Sequence, residues 1–373
     1  MKRRKNSRAV HNASSPPAYD KPPAFASHIF TFHKEGSPLF TDIVPAGSVR
    51  GRFAPSPSGD IHIGNALAAL MAWLQIRSRN GKLVLRMEDI DTARCRPEYA
   101  RHIIEDLRWL GLDWDEGPDA GGPYGPYVQS ERLKLYEAAL NRLRADGRLY
   151  PCYCSRHDIL AAAAAPHGLA SEGPVYPGTC RYLSAEEAEQ RSLSKTPSLR
   201  FAVPPGEIAF TDGVAGNRRA NAAAGGDFIV RRADGIFSYQ LAVVVDDALM
   251  GITDVLRGAD LLDSTPRQLM LYEALGWKAP RFAHVPLLMD RDGRRLAKRH
   301  GGITLAELRE AGATPQTVTG WLAWAAGLLP EPLPVSPHDL IQSFQLERIS
   351  REDIIVTPDM LGRLHPSLGR QET

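Results

Sequence analysis

The run RFAPSPSGDIHIGN from Arg52 to Asn65 carries residue types suited to handling the phosphates of a nucleotide. Phe53 and Ala54 close a short apolar stretch, Pro55, Pro57 and Gly59 punctuate a tight loop, and Asn65 to Leu74 reads as a helix. Such a helix aims its free N–H groups and partial positive charge into the loop, where an anionic phosphate is favoured. His62 at the mouth can donate a further hydrogen bond as charge develops, and Gly64 lets the backbone approach a ligand closely. Taken alone, His-Ile-Gly-Asn reads as an ordinary loop; the whole fourteen-residue string is far more specific. A second cluster is Cys152-x-Cys154 followed by Tyr176-x₃-Cys180. Three thiolates this close in sequence suit zinc, which takes four ligands in a tetrahedron; a phenolate oxygen, His157 or His167 could supply the fourth. With every position filled by protein, such a site is structural. Cys95 stands apart as an unpaired thiol.

These residues need a scaffold, and 373 residues with 43% hydrophobic content can bury a sizeable core in two to three structural units. Lys82 to Arg86 reads as a strand, Pro97 to Leu110 as a helix, and strands resume from Phe228 and from Leu241, the latter ending in the paired carboxylates Asp246 and Asp247 at the cleft. For these two acids a contact to a ribose or to the end of a nucleic acid and an N-cap role are both open. The alternation predicts an α/β fold built on a Rossmann-type parallel sheet, with ligands at the carboxyl ends of its strands. Residues 47–110 and 228–302 form this catalytic unit, and 111–227 an inserted subdomain that holds the candidate zinc site. Residues 1–46, rich in Pro, Ser and Ala and led by Lys2, Arg3, Arg4, Lys5 and Arg8, read as a disordered basic extension. Ala161 to Ala165 reads as a helix end running into a loop. Residues 303–373 suggest short helices around Leu305 to Ala311, Thr317 to Leu329 and His338 to Phe344.

A net charge of +2 gives no global basic field, so contact with RNA must come from local patches. Four cysteines in a chain this long make no disulfide framework. No apolar run approaches the ~18 residues of a membrane helix, and the N-terminus lacks the apolar core of a secretion signal. A cytoplasmic monomer with no membrane partner is expected.

The Arg52 to Asn65 string resembles the HIGH signature of class I aminoacyl-tRNA synthetases, with the lead-in of the glutamylating branch. Further similar segments follow in order: LRMEDIDTAR from Leu85, LAVVVDD from Leu241, VLRGADLL from Val255, and RRLAKR from Arg294 to Arg299, which resembles the KMSKS loop. The resemblance implies ATP binding by Pro55, Ser56, Pro57, His62, Gly64, Asn65, Arg295, Leu296, Ala297, Lys298 and Arg299. His62 and Lys298 would stabilise charge on the ATP phosphates from opposite sides. It implies a glutamate pocket of Arg52, Phe53, Ala54, Pro55, Ser56, Glu88, Tyr239 and Arg257, with Glu88 facing the ammonium and Arg257 the distal carboxylate. Two positions depart from the family pattern: Asn65 stands at the fourth HIGH position and Ala297 where a serine is usual.

The resemblance also implies an RNA-facing surface in the inserted subdomain. It favours Tyr176 as fourth zinc ligand, completing a set of Cys152, Cys154, Tyr176 and Cys180. The 71 residues after Gly302 are too few for a full anticodon-reading domain. In this the chain resembles the truncated glutamylating subgroup that uses ATP with Mg²⁺ and transfers L-glutamate to queuosine in the anticodon loop of tRNA(Asp). A shortened enzyme that charges tRNA(Glu), and a catalytically silent RNA-binding relative, are the alternatives.

Overall fold

The computed structural model describes residues 48–162, 175–296 and 303–366. The expectations for residues 1–46, Ala163 to Ala165, His167, Ala297, Lys298 and Arg299 lie outside them. Strand β1 (Arg50–Phe53), helix α1 (Ile63–Arg77) and strand β2 (Lys82–Leu85) make a βαβ unit in which Arg50 pairs with Lys82 and Phe53 with Leu85. Helix α1 starts two residues before the expected Asn65, with His62 as its N-cap. It is apolar almost all round because it is buried between the sheet and the C-terminal helices. Gly51 allows the close approach: a Cβ there would meet Ile76 Cγ1 at 2.4 Å. Helix α2 (Pro97–Trp109) opens with proline in its first turn, as expected, and buries Ile103 and Leu107.

The inserted region holds α3 (Leu133–Ala145), β3 (Leu149–Cys152), α4 (Arg156–Ala162), α5 (Ala185–Ser192), β4 (Ser198–Phe201), the hairpin β5 (Glu207–Asp212) and β6 (Gly216–Asn221), and β7 (Phe228–Arg231). Strands β3, β4 and β7 form an antiparallel sheet in that order. The strand at Phe228 therefore belongs to this sheet and not to the parallel one.

The expected strand from Leu241 to Asp247 is instead helix α6 (Tyr239–Leu249). A short apolar run cannot separate a buried strand from a buried helix by pattern, and Val243, Val244 and Val245 tip propensity toward the strand. Tertiary burial overrides it: Gln240 to Asp247 are all buried, and the Ser238 hydroxyl caps the helix by accepting from the Leu241 N–H at 3.4 Å. Asp246 and Asp247 consequently point about 100° apart rather than to opposite sheet faces.

The parallel sheet resumes with β8 (Asp254–Gly258), α7 (Thr265–Ala274) and β9 (Arg281–Val285), followed by β10 (Leu288–Met289). Its strand order is β2-β1-β8-β9. One βαβ unit runs outward from β1 and the other outward from β8, so the direction of winding reverses between these two central strands. In open parallel sheets ligands bind at that reversal, outside the carboxyl ends.

Beyond it lie α8 (Leu305–Glu310), α9 (Pro315–Ala325), β11 (Ile354–Ile355) and α10 (Pro358–Leu364). Helix α9 starts at the Thr314 cap, and Gly327 at φ +86° follows its end. The helix expected from His338 to Phe344 is a single 3₁₀ turn, Pro337–Leu340, continued by i→i+3 turns. Strand β11 pairs in parallel with β10 and so ties this region to the chain that leaves the parallel sheet. No helix among the described residues is long and apolar enough to cross a membrane.

Candidate active site and metal centre

The loop after β1 is fixed to the chain leaving β2 by three backbone hydrogen bonds. The carbonyls of Phe53, Pro55 and Pro57 accept from the N–H groups of Arg86 at 3.0 Å, Glu88 at 3.0 Å and Arg96 at 2.9 Å. Ser56 is left exposed on the crest, Ala54 half-buried below it. At the start of α1, Ile63 N–H donates to the Ile303 carbonyl at 3.0 Å, and Leu305 N–H to the Ile61 carbonyl at 2.8 Å. On the other flank of residues 297–302, Leu296 N–H donates to Leu288 O at 2.9 Å, and its side chain joins the same core as Ile61, Ile63 and Ile303. Both described flanks of the RRLAKR segment are therefore anchored in the core that holds the α1 N-terminus. A Cβ on Gly64 would meet nothing within 4 Å, so protein packing does not demand glycine there, and a ligand approaching the first turn would. Arg295 is paired with Asp260 in the loop after β8.

At the carboxyl ends of β1, β2 and β8 the structure gathers Arg52, Glu88, Arg257 and, from the start of α6, Tyr239. Tyr239 interacts electrostatically with Arg52, Glu88 and Arg257, and Arg52 with both Glu88 and Arg257. Arg52 Nε donates to Asp247 Oδ1 at 3.3 Å, and Arg86, fully buried, donates from Nη1 to the same oxygen at 2.7 Å and from Nη2 to Glu88 Oε1 at 2.9 Å. Burial pulls the Asp247 carboxyl up, but Arg52 and Arg86 outweigh it and hold it below the ordinary carboxylate range. For Glu88 burial wins over the same two arginines, and its carboxyl is raised.

Asp246, one residue away on α6, turns chiefly toward α3, with Arg86 Nε 3.7 Å from its Oδ2. It accepts from Arg132 Nε at 2.6 Å, Gln129 Nε2 at 2.8 Å and the Tyr136 hydroxyl at 2.9 Å, and so locks α6 to α3. Neither acid ends a strand, and neither N-caps a helix.

Arg257 donates from Nη1 to Gln268 Oε1 at 2.8 Å, from Nη2 to the Leu261 carbonyl at 3.2 Å and the Thr265 hydroxyl at 2.9 Å, and from Nε to His284 Nε2 at 3.0 Å. Tyr239 also acts electrostatically on the guanidinium. Arg86, Gln268 and His284 escaped the sequence reading. Their signal was the polar residue inside an apolar segment, as in the Leu85-Arg86-Met87 and Ala283-His284-Val285 triplets.

Cys152, Cys154 and Cys180 bring their sulfurs within 4.8 Å of one another. Cys154 Sγ lies 3.6 Å from Cys180 Sγ, and the Tyr176 hydroxyl lies 3.4 Å from Cys152 Sγ and 3.8 Å from Cys154 Sγ. A tetrahedral zinc with Zn–S about 2.3 Å and Zn–O about 2.0 Å sets its ligands roughly 3.5–3.8 Å apart, and these three separations are compatible with the ion. Tyr176, not the exposed His157, joins the thiols. Burial pushes the Cys154 thiol up to about 11. Arg200 lies over the Tyr176 ring, 3.7 Å from its centroid, and supplies positive charge beside the cluster.

Residues 48–333 match the family of class I tRNA synthetases (E and Q), catalytic domain. Over 84% of this chain and 98% of that protein, the sequence is 62% identical to a glutamyl-Q tRNA(Asp) synthetase of Symbiobacterium thermophilum. Over 86% of this chain and all of that protein, it is 50% identical to one of Nitratidesulfovibrio vulgaris. A solved glutamate-tRNA synthetase of Elizabethkingia anophelis superposes with a TM-score of 0.74 at 29% identity, covering 84% of this chain and 69% of that one.

Proposed function

On the premise that the chain belongs to the class I tRNA synthetases of the E and Q type, we propose that it activates L-glutamate with ATP and transfers it to queuosine in tRNA(Asp). The observation that carries this reading is the convergence of Arg52, Glu88, Tyr239 and Arg257 at the winding reversal of the sheet. An amino acid with a second carboxylate needs an anion for its ammonium and cations for its distal end, and this cluster holds both.

A glutamate α-carboxylate oxygen attacks the α-phosphorus of Mg²⁺-bound ATP and pyrophosphate leaves. A hydroxyl of the queuosine cyclopentenediol then attacks the acyl carbon and AMP leaves. Glu88 receives the ammonium; Tyr239 and the charge of Arg257 receive the distal carboxylate; Arg52, with Phe53, Ala54, Pro55 and Ser56, lines the amino-acid side. The triphosphate lies over the α1 N-terminus, along Pro57, His62, Gly64 and Asn65. Arg295, Leu296, Ala297, Lys298 and Arg299 also serve the phosphates, and Arg295 exchanges Asp260 for phosphate. His62 and Lys298 stabilise the charge that builds as the α-phosphorus is attacked. The acceptor is a cis-diol in a loop, chemically close to a terminal ribose, so the catalytic centre needs little change from a charging enzyme.

The deciding experiment presents labelled glutamate, ATP and Mg²⁺ with tRNA(Asp) with and without queuosine, and with tRNA(Glu), and maps the label by nuclease digestion. Label confined to the queuosine-bearing anticodon fragment is expected. Label on the terminal adenosine of tRNA(Glu) would overturn the proposal.

Glu88 must be ionised to hold an ammonium, and its carboxyl is raised by burial. The acid limb of kcat/KM for glutamate is therefore expected above the ordinary glutamic acid value of about 4.3. Activity rises as pH climbs through it, and Glu88→Gln should remove this limb together with most of the activity. An acid limb unchanged in Glu88→Gln would refute the assignment.

Zinc in the Cys152, Cys154, Tyr176 and Cys180 site would fix β3 against the Tyr176 to Cys180 turn. About one equivalent of zinc per chain is expected by elemental analysis. Stripping it with a chelator should lower the melting temperature, and zinc should restore it. A melt indifferent to chelator would count against a resident ion.

A further inference from the structure

Arg257 leans on a partner that can accept its hydrogen bond in only one protonation state. A guanidinium only donates, so His284 Nε2, 3.0 Å from Arg257 Nε, must present its lone pair, and the ring proton must sit on Nδ1. Nδ1 faces Asp212 Oδ2 at 2.6 Å. Asp212 stands at the end of β5, where its Oδ1 accepts from the backbone N–H groups of Val214 at 3.0 Å, Ala215 at 2.8 Å and His284 at 3.2 Å. Both side chains are fully shielded from solvent.

We propose that Asp212 and His284 are positioning residues that set the orientation of Arg257, so that the β5–β6 hairpin governs affinity for the distal carboxylate of glutamate. The proposal rests on the functional reading above. Among the described residues, neither of the ring's other neighbours substitutes for this arrangement. Thr265 Oγ1 lies 3.4 Å from Nε2 and already accepts from Arg257, and the Phe282 ring stacks on the imidazole at 6.4 Å between centroids. The charged groups that act on His284 are Asp212, Arg257 and Arg52; the two arginines join burial in keeping the ring neutral. A protonated His284 would turn an N–H against Arg257 and add a positive charge beside Arg52.

Asp212→Asn tests the device without emptying the site. The three backbone N–H groups at Oδ1 require the carboxamide oxygen there, which leaves its NH₂ facing His284 Nδ1. The ring must then carry its proton on Nε2, donor against donor at Arg257. In glutamate-dependent ATP–pyrophosphate exchange this variant is expected to raise KM for glutamate about tenfold to a hundredfold, with KM for ATP unchanged. A merely structural role would move both constants. In a His284→Gln background, where the glutamine oxygen can itself accept from Arg257, the same Asp212→Asn change should add less than about twofold.

¹⁵N-histidine NMR of the full chain, with the His284 signal identified by its loss in His284→Gln, should show the Nδ1–H form in the unaltered protein and the Nε2–H form in Asp212→Asn. An Nε2–H ring in the unaltered protein, or a glutamate KM within twofold in a folded Asp212→Asn, would overturn the proposal. Should Asp212→Asn fail to fold, the tautomer in the unaltered protein decides alone. Absence of glutamate-dependent exchange in the unaltered protein would sink the functional reading and leave that tautomer to judge the dyad.

Discussion

Lys298→Ala is expected to lower glutamate-dependent ATP–pyrophosphate exchange by about 10²–10³-fold, the loss typical of removing one preorganised group from a developing charge. The reaction as proposed has no covalent enzyme intermediate, so catalysis comes from position and electrostatics alone. Residues 294–299 carry Arg294, Arg295, Lys298 and Arg299, and the position beside Lys298 is Ala297, which cannot donate a hydrogen bond as a serine would. In the proposed mechanism Lys298 would carry a larger share of the charge stabilisation than it would with a hydroxyl beside it. The flanks at Leu296 and Ile303 are held by the core, so the substitution should leave the fold and glutamate affinity intact. The kinetic signature is a fall in kcat with KM for glutamate within about twofold. Exchange within tenfold of the unaltered protein would mean that another group faces the phosphates. Ala297→Ser is the companion variant, and faster exchange is its expected result.

The chemistry was more legible in the sequence than the architecture around it. A proline- and glycine-marked loop before an apolar helix identified the α1 N-terminus within two residues, because turn residues and helix starts are local signals. Arg52, Glu88, Tyr239 and Arg257 were named together through the family resemblance of the segments that carry them, and the fold brings those segments to one end of the parallel sheet. What failed was non-local. Leu241 to Asp247 reads equally as a buried strand or a buried helix, and only its packing against α3 and α7 decides. Phe228 has strand character in either sheet, and its partner Phe201 is set by the chain's return through the insertion. Asp246 and Asp247 looked like one acidic pair. Helical geometry separates them into an anchor for α3 and a counter-ion for the pocket, which no spacing rule for strands could reveal.

Asp247→Asn is expected to destabilise the protein by about 3–5 kcal/mol at neutral pH and to raise KM for glutamate at the same time. The first effect follows from what the carboxylate holds. Arg52 and Arg86 both donate to Asp247 Oδ1, and all three side chains are buried. Arg86 retains Glu88 at 2.9 Å and Asp246 at 3.7 Å, but Asp247 is the one ion pair recorded for Arg52 among the described residues. Removing the charge strands a buried guanidinium in the pocket, where it must either unfold its surroundings or turn toward Glu88. The second outcome would compete with the substrate ammonium for Glu88, which is why affinity should fall with stability.

The pH dependence separates this from simple loss of packing. The Asp247 carboxyl is held below its ordinary value, so its contribution is present above the unfolded pKa near 4 and is lost as pH falls through the folded one. Glu116, Asp212 and Asp254 are depressed as well, so the unaltered protein loses stability over the same range for several reasons. The difference between the unaltered protein and Asp247→Asn isolates the single carboxylate. In urea denaturation that difference should be largest at pH 7 and shrink steadily below about pH 4. A difference that stays constant down to pH 3 would assign the loss to shape rather than charge, and a variant as stable as the unaltered protein at pH 7 would remove Asp247 as the counter-ion that holds Arg52 in the pocket.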